Sequence, residues 1–283
     1  MWHTRSPLSP AARSIYSVNV DVNRSVELNM GETISIVSQK GGVGKTITAV
    51  NLAAALALAG KRTLLVDCDP QGSATSIAGI YKKKIALTLE DGLLGRASLS
   101  RIMAQSCVYY LQVIPAPFGR THQAANLSSA PGAERVLKNF LMDDSWYFDY
   151  IILDTPASFG MLTMSAIAAA DSVLIPTQCE YLAYRSLKQT MQTLVTVKNA
   201  YRLPLQLAGI LFTMVEEDTR LSRVIVRSAR RHMGERVFET LIPRNEQLRE
   251  SPVYERPLVV QDIFSVGAKS YVALAAEIMK RKL

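Results

Sequence analysis

Along this chain, short runs of apolar and β-branched residues alternate with longer stretches of helical spacing. Ile34, Ile36 and Val37 open the first run. Residues 61–67 (KRTLLVD), 111–115 (LQVIP), 149–154 (DYIILD), 172–176 (SVLIP), 207–213 (LAGILFT) and 237–242 (VFETLI) repeat the theme, and each is predicted to be a strand. Continuous apolar character, rather than strict alternation, marks strands covered on both faces. Between them, residues 45–59 read as a buried helix closed by Gly60 at its C-cap. Over 131–142, Ala133, Val136, Leu137, Phe140 and Leu141 recur at helical spacing and are assigned to the core. Residues 72–110 read as helix and loop, with Lys82–Lys84 in a solvated turn. A final helix over 267–282 is predicted to pack Tyr271, Val272, Ala275, Ile278 and Met279 on the body. Strands alternating with helices predict an α/β fold, a mostly parallel twisted sheet with helices on both faces. The pattern carries no internal repeat and no sign of a second domain.

The first 29 residues do not share this pattern. They are polar, with prolines at 7 and 10, and lack the apolar stretch of a secretory signal. Residues 1–30 are therefore expected to form a mobile N-terminal extension ahead of a domain at 31–283, unless Met30 is the true start. No run of about 18 apolar residues occurs, which argues against a membrane span. Cys68, Cys107 and Cys179 are odd in number and far apart. They make neither a disulfide framework nor a C-x-x-C pair, and this usage points to the reducing cytoplasm. The net charge of +8 and a pI of about 9.4 favour a polyanionic partner, nucleic acid or an anionic membrane, without choosing between them.

The chemistry is concentrated between the first strand and the first helix. Gly41, Gly42 and Gly44 can adopt backbone angles that other residues avoid, so their N–H groups can surround a phosphate at a helix N-terminus. Lys45 would add a point charge on the β- and γ-phosphates, and the Thr46 hydroxyl would ligate Mg²⁺. Strand, glycine loop, lysine, threonine and helix follow one another as a P-loop NTPase requires. Gln39 stands where the ordinary G-x-x-x-x-G-K-[ST] pattern has glycine, and Lys40 adds a second lysine. Asp67 and Asp69 close the second strand and Asp154 closes the run at 149–154, which sets carboxylates beside the loop in a doubly wound sheet.

The K-G-G-V-G-K-T form of residues 40–46 resembles the deviant Walker A motif of the ParA/MinD group of P-loop ATPases. D-C-D-P-Q at 67–71 is similar to that group's switch I, the strand ending at Asp154 to its Walker B, and D-T-P-A-S-F-G at 154–160 to its switch II. I-P-R-N at 242–245 is similar to the segment that lines the adenine, and the likeness runs from about residue 31 to 282. The resemblance implies an ATPase that is a homodimer in its ATP state, with Lys40 reaching the nucleotide held by the partner subunit. It implies catalytic roles for Lys40, Lys45 and Asp69, with Asp69 orienting the attacking water. Asp67 would support the metal shell or Lys45. ATP would be held by Lys40, Gly41, Gly42, Val43, Gly44, Lys45, Thr46, Ile47, Thr213, Pro243, Arg244 and Asn245. Mg²⁺ would be held by Thr46, Asp69 and Asp154. Ala157 and Arg185 depart from the group's usual residues at their positions.

Residues 219–233 (TRLSRVIVRSARRHM) read as an amphipathic helix. At about 100° per residue, Arg220, Arg223, Arg227, Arg230 and Arg231 fall within an arc of about 100°. Leu221, Ile225, Val226, Ala229 and Met233 lie opposite. Residues 220–283 carry 13 Lys+Arg against 7 Asp+Glu, a net +6 and most of the chain's excess. Such a stripe can neutralise successive phosphates of a duplex without reading bases. Similarity to the ParA/Soj-type ATPases implies non-specific DNA binding on the nucleoid. It also implies slow hydrolysis stimulated by a cargo-bound ParB-like protein, and positioning of a plasmid, chromosome or other large cargo. The alternative within the group is a MinD-like membrane-associated ATPase. Lys280, Arg281 and Lys282 suit anionic lipid, but the last helix lacks the apolar face of an anchor. A dethiobiotin synthetase-like ligase and a non-hydrolysing DNA scaffold are the remaining readings. The arginine stripe and I-P-R-N speak against the first, Asp69 and Asp154 against the second.

Overall fold

The computed structural model describes residues 31–117, 132–142, 147–180, 183–216 and 218–281. The N-terminal extension at 1–30 and Lys282 lie outside them. The apolar runs form strands β1 (Glu32–Ile36), β2 (Thr63–Asp67), β3 (Ala104–Gln105), β4 (Leu111–Ile114), β5 (Tyr150–Asp154), β6 (Ser172–Gln178) and β7 (Gln206–Thr213). They join in one seven-stranded sheet of order β3-β4-β2-β5-β1-β6-β7. All pairings are parallel except that of β3, a short edge strand antiparallel to β4.

The helices are α1 (Lys45–Leu58), α2 (Ser73–Ile77), α3 (Leu89–Leu93), α4 (Leu99–Ile102), α5 (Val136–Met142), α6 (Met161–Ala169), α7 (Ala183–Ala200), α8 (Arg220–Met233), α9 (Glu246–Glu250), α10 (Leu258–Gln261) and α11 (Val266–Lys280). Successive strand residues point to opposite faces, and the core divides accordingly. Ile34, Ile36, Leu65, Ile152 and Leu174 pack with Leu52 and Leu56 of α1 and Tyr271, Leu274 and Ile278 of α11. Their neighbours Leu64, Val66, Ile151 and Leu153 pack with Leu89, Ile102 and Leu137 on the other face. Val173 and Ile175 meet Ile167 of α6 and Leu187 and Leu194 of α7 there. Helix α1 is enclosed: Ala49, Val50, Leu52, Ala53 and Ala54 are all 0% exposed. Its Thr48 hydroxyl and the Tyr271 hydroxyl of α11 share a buried hydrogen bond of 3.1 Å.

The predicted strand at 237–242 does not form. That segment runs beside β7 with isolated parallel bridges, Ile210 to Val237 and Val215 to Pro243. Between the bridges, the N–H groups of Glu239 and Thr240 donate to the Glu277 carboxylate at 2.9 and 3.0 Å. A side chain of α11 thus takes donors that a ladder would have used. Helix α6 was not anticipated, nor was β3. The helix expected over 131–142 begins as a 3₁₀ turn at Ala133–Arg135 before α5, and residue 131 lies outside the described set. The last helix is held down near its end. Arg281 donates to the carbonyls of Ala208, Glu235 and Val237 at 3.2, 3.0 and 3.4 Å and to Glu277 at 2.7 Å. Its guanidinium lies 4.3 Å from the Phe238 ring centre.

At the N-terminal end of β1, Glu32 accepts from the Ser172 hydroxyl at 3.1 Å. Asp171 beside it accepts from the Thr33 N–H at 2.9 Å. Burial pushes the Glu32 carboxyl up to about 7; the Ser172 bond pulls it down and the Asp171 charge adds to the rise. An acid whose value is higher folded than unfolded binds its proton more tightly when folded. The stability this gives is present below the ordinary glutamate range and is lost as pH rises through 7. Glu32→Gln should therefore flatten the stability profile between about pH 5 and 8. It should exceed the parent at about pH 8 by on the order of 1–2 kcal/mol, as judged by urea unfolding. Parallel profiles for parent and variant would show that Glu32 titrates normally.

Candidate functional site

The parallel register gathers the chemistry at the C-terminal ends of the central strands. Asp154 of β5 stands opposite Ile36 of β1 and opposite Asp67 of β2. The chain leaves β1 into the glycine loop. Gly42 and Gly44 take φ of 74° and 86°, which glycine alone adopts without cost. Gly41, expected to use the same freedom, is not in the left-handed region. Its contribution is the missing side chain: a Cβ at Gly41 or Gly42 would meet nothing within 4 Å, so the space over the loop is open. Gly44 caps α1, so the free N–H groups of the helix start belong to the loop. Val43 is buried, and its carbonyl accepts from the Thr213 hydroxyl at 2.9 Å, which fastens the loop to β7.

Lys45 is 8% exposed. Burial draws its amine below the ordinary lysine value, and the carboxylates of Asp154 and Asp69 pull it back. Asp67 and Asp154 are both 0% exposed, but they differ in their partners. Asp67 Oδ2 accepts from the Thr75 N–H and hydroxyl, both at 2.7 Å, and Oδ1 from the Asp69 N–H at 3.1 Å. Burial pushes its carboxyl up to about 6 against the pull of these bonds. The expected role of Asp67 in the metal shell or at Lys45 is not what these contacts make. Its oxygens hold the switch-like turn and the start of α2.

Asp154 lacks such satisfaction. Among the described residues neither of its oxygens has a hydrogen-bond partner of ordinary geometry. Burial, then the charge of Asp67, holds this carboxyl well above the usual range, while the nearby Thr46 hydroxyl and Lys45 favour its ionised form. Orphaned carboxylate oxygens beside a threonine hydroxyl suit a cation that brings its own water. Mg²⁺ keeps several waters and needs only one or two protein ligands. Among the described residues there is no group of three or more His, Cys, Asp or Glu that could hold a metal without such waters. Asp69 is half-buried at the mouth, with Oδ1 accepting from the Gln71 N–H at 3.0 Å.

Lys40 points away from its own loop. Its Nζ donates to Gln178 Oε1 at 3.2 Å and to Glu180 Oε2 at 2.9 Å, just past β6. Beyond β7 the chain builds a second wall. Gly44, Ile47, Thr213, Pro243, Arg244 and Asn245 come together in one cleft with Met214, Leu248 and Tyr271. Asn245 Oδ1 caps α9 by accepting from the Leu248 N–H at 3.0 Å. Arg244 Nε pairs with Glu216 Oε1 at 2.6 Å.

Helix α8 is capped by Thr219, whose hydroxyl accepts from the Ser222 N–H at 3.2 Å. Arg220, Arg223, Arg227, Arg230 and Arg231 are all exposed. Among the described residues none of Arg220, Arg227, Arg230 and Arg231 pairs with a carboxylate. Arg230 donates to the Glu239 carbonyl at 2.7 Å. The opposite face is narrower than expected. Ser222, Val226 and Ala229 are its buried residues, with Val226 and Ala229 packed against Cys179, Phe212 and Val215. Leu221, assigned to that face, is 54% exposed, and Val224 joins the arginine side at 56%.

Residues that sequence reasoning passed over are the partners: Gln178 and Glu180 of Lys40, Thr75 of Asp67, and Glu216 of Arg244. Gln178 ends β6 and Glu180 lies two residues on, and no local pattern ties either to Lys40.

Comparison with known proteins agrees with this geometry. The AAA domain family matches residues 31–207. The chain is 43% identical over 252 residues to the chromosome partitioning protein ParA of Myxococcus xanthus, covering 89% of each. It is 41% identical over 249 residues to the sporulation initiation inhibitor protein Soj of Bacillus subtilis, covering 88% of this chain and 98% of that one. Among solved structures, cobyrinic acid a,c-diamide synthase of Mycobacterium smegmatis with bound ADP and magnesium is 31% identical. That likeness has a TM-score of 0.75 and covers 87% of this chain and 93% of the other. A seven-stranded sheet with this loop at the end of β1 is that of a P-loop ATPase, which works on ATP with Mg²⁺. Within that class the chain belongs to the ParA/Soj family of partition ATPases.

Thr213→Val removes the donor that fastens the loop to β7. One net hydrogen bond is about 0.5–1.5 kcal/mol, so ATP affinity should fall about 2- to 10-fold. Titration with a fluorescent ATP analogue measures it, and an affinity equal to the parent's would mean that the bond does not order the loop.

Proposed function

We propose that residues 31–283 act as one ATP-driven switch that dimerises and binds duplex DNA without reading its sequence. By cycling on and off the nucleoid in the cytoplasm, it segregates or positions a plasmid, chromosome or other large cargo. The observation that carries this reading is the arginine stripe of α8, exposed on a helix that packs directly against the wall of the nucleotide cleft. The names of the Myxococcus and Bacillus relatives support it.

The loop N–H groups and Lys45 take the phosphates, and the cleft at Thr213, Pro243, Arg244 and Asn245 takes the base. Thr46 and Asp154, with Asp69 close by, would hold Mg²⁺, which would supply charge neutralisation for the phosphates. Asp69, at the mouth, places the attacking water. Lys40 leaves Glu180 and reaches the partner's nucleotide. Its present pair is exposed, 34% and 47% by side chain, and such pairs are weak enough to exchange. Two protomers double the phosphate contacts, so a modest monomer affinity for DNA becomes a strong dimer affinity. Hydrolysis, stimulated by a cargo-bound ParB-like protein, releases both.

A MinD-like membrane switch would need the last helix to leave the body, and the Arg281 clamp opposes that. No helix among the described residues is long and apolar enough to cross a membrane. The synthase activity in the name of the Mycobacterium smegmatis protein belongs to a relative more distant than the partition proteins.

Co-sedimentation with non-specific duplex DNA in ATP and in ADP tests the reading. The parent should bind in ATP alone. Arg227→Ala should bind more weakly on every sequence, with a salt dependence shallower by about one phosphate contact. Absence of binding in both nucleotides would overturn the DNA function. Two variants test the site. Lys45→Ala should lose nucleotide binding altogether. Asp69→Ala should still bind ATP yet remain on DNA as a dimer, and normal turnover in that variant would remove Asp69 from catalysis.

A further inference from the structure

The nucleotide cleft and the arginine face share a wall. Backbone hydrogen bonds zip residues 212–215 to 242–244: Ile242 N–H to Phe212 carbonyl at 2.9 Å, Val215 N–H to Ile242 carbonyl and Arg244 N–H to Val215 carbonyl, both at 3.0 Å. Met214, Ile242 and Pro243 line the cleft on one side of this ribbon. Val215 and Leu241 line a groove on the other side, together with Arg223, Arg227 and Arg230 of α8. At the wall, Met214 holds a left-handed φ of 53°. A side-chain residue stays in that region only where its surroundings fix it.

One residue bridges the two sides at the mouth of the ribbon, by its side chain on one and its backbone carbonyl on the other. Glu216 pairs through Oε1 with Arg244 Nε at 2.6 Å. Its backbone carbonyl accepts from the Thr219 N–H at 3.0 Å and from the Thr219 hydroxyl at 2.9 Å. Thr219 in turn caps α8 through Ser222. A guanidinium has five donors in a fixed fork. With Nε on Glu216, the remaining donors of Arg244 pair with no other carboxylate among the described residues and can meet a ligand in the cleft that Arg244 lines.

We propose that Glu216 is a positioning residue. It orients Arg244 toward the nucleotide and passes cleft occupancy to the N-terminal turn of α8 within a single protomer. This rests on the reading of the cleft as the base site and of α8 as the DNA face. Filling the cleft fixes Arg244. Arg244 then fixes Glu216, and the Thr219 cap of α8 tightens. The base and ribose are common to ATP and ADP, so the relay responds to either nucleotide. Dimerisation through Lys40 answers separately to the γ-phosphate. The arginine face is thus ordered in two steps, once by occupancy and once by pairing.

ADP separates the two, because it fills the cleft without the γ-phosphate. Amide hydrogen exchange is compared without nucleotide and at saturating ADP, in the parent and in Glu216→Ala. Glu216 is half-exposed, so its truncation leaves the fold intact, which an unchanged unfolding midpoint checks. ADP should slow exchange at Thr219, Ser222 and Arg223 about fivefold or more in the parent, within the ordinary range of coupling between sites. It should have no effect there in Glu216→Ala. In ATP, the variant's affinity for duplex DNA should fall about fivefold or more at an unchanged dimerisation midpoint. Equal protection in both proteins, or none in the parent, overturns the relay. If the parent shows the protection but binds no DNA, the relay stands and the DNA reading of α8 fails.

Discussion

Two carboxylates stand side by side, without solvent, at the ends of β2 and β5. Placing two such groups next to each other out of water is costly unless each is answered by hydrogen bonds or by positive charge. Asp67 is answered from within the chain, by Thr75 and the Asp69 N–H. Asp154 is left to be answered by Lys45, by Thr46 and by what binds there. That asymmetry organises the centre of the molecule. It explains why a lysine is tolerated at the buried start of α1, and why the loop above it is stripped of side chains. At the centre of the molecule Asp154 therefore presents two buried oxygens beside Lys45 and Thr46, a pair suited to a positively charged ligand.

From that centre outward, the structure becomes progressively less committed. The sheet and α1 are close-packed. Helix α8 is held by a narrow strip of small and β-branched residues and by the ribbon beneath it. Its arginines face solvent with Leu221 and Val224 exposed among them. Long guanidinium side chains on a lightly anchored helix can adapt to a phosphate backbone whose spacing varies with sequence, which is what binding without base readout demands.

The phosphate loop was legible because its parts are contiguous: strand, glycines, lysine, threonine and helix lie within about twenty residues, and each has a local reason. The strands showed for the same reason. What escaped was set by distant partners. The segment 237–242 has a strand's composition, but the Glu277 carboxylate, far along the chain, occupies its donors. Helix α6 (MLTMSAIAA) is apolar on nearly all sides and so shows no period. The fate of Lys40 depends on Gln178 and Glu180, which no local pattern joins to it. In α8 the period gave the helix and its charged face correctly. It overestimated the buried face, since periodicity reports which residues share a side and not how much of that side a neighbour covers.

Helix α1 has a consequence for how such a protein can vary over time. Its alanines are wedged between the sheet and α11 with no free surface. An added methylene there has no outlet except a shift of the whole rod. The rod's first turn continues directly from the phosphate loop. A packing change several turns away therefore becomes a geometric error at the nucleotide. A substitution on the exposed arginine face changes charge with little effect on packing. Along this helix the volume of each side chain doubles as a setting of the active centre.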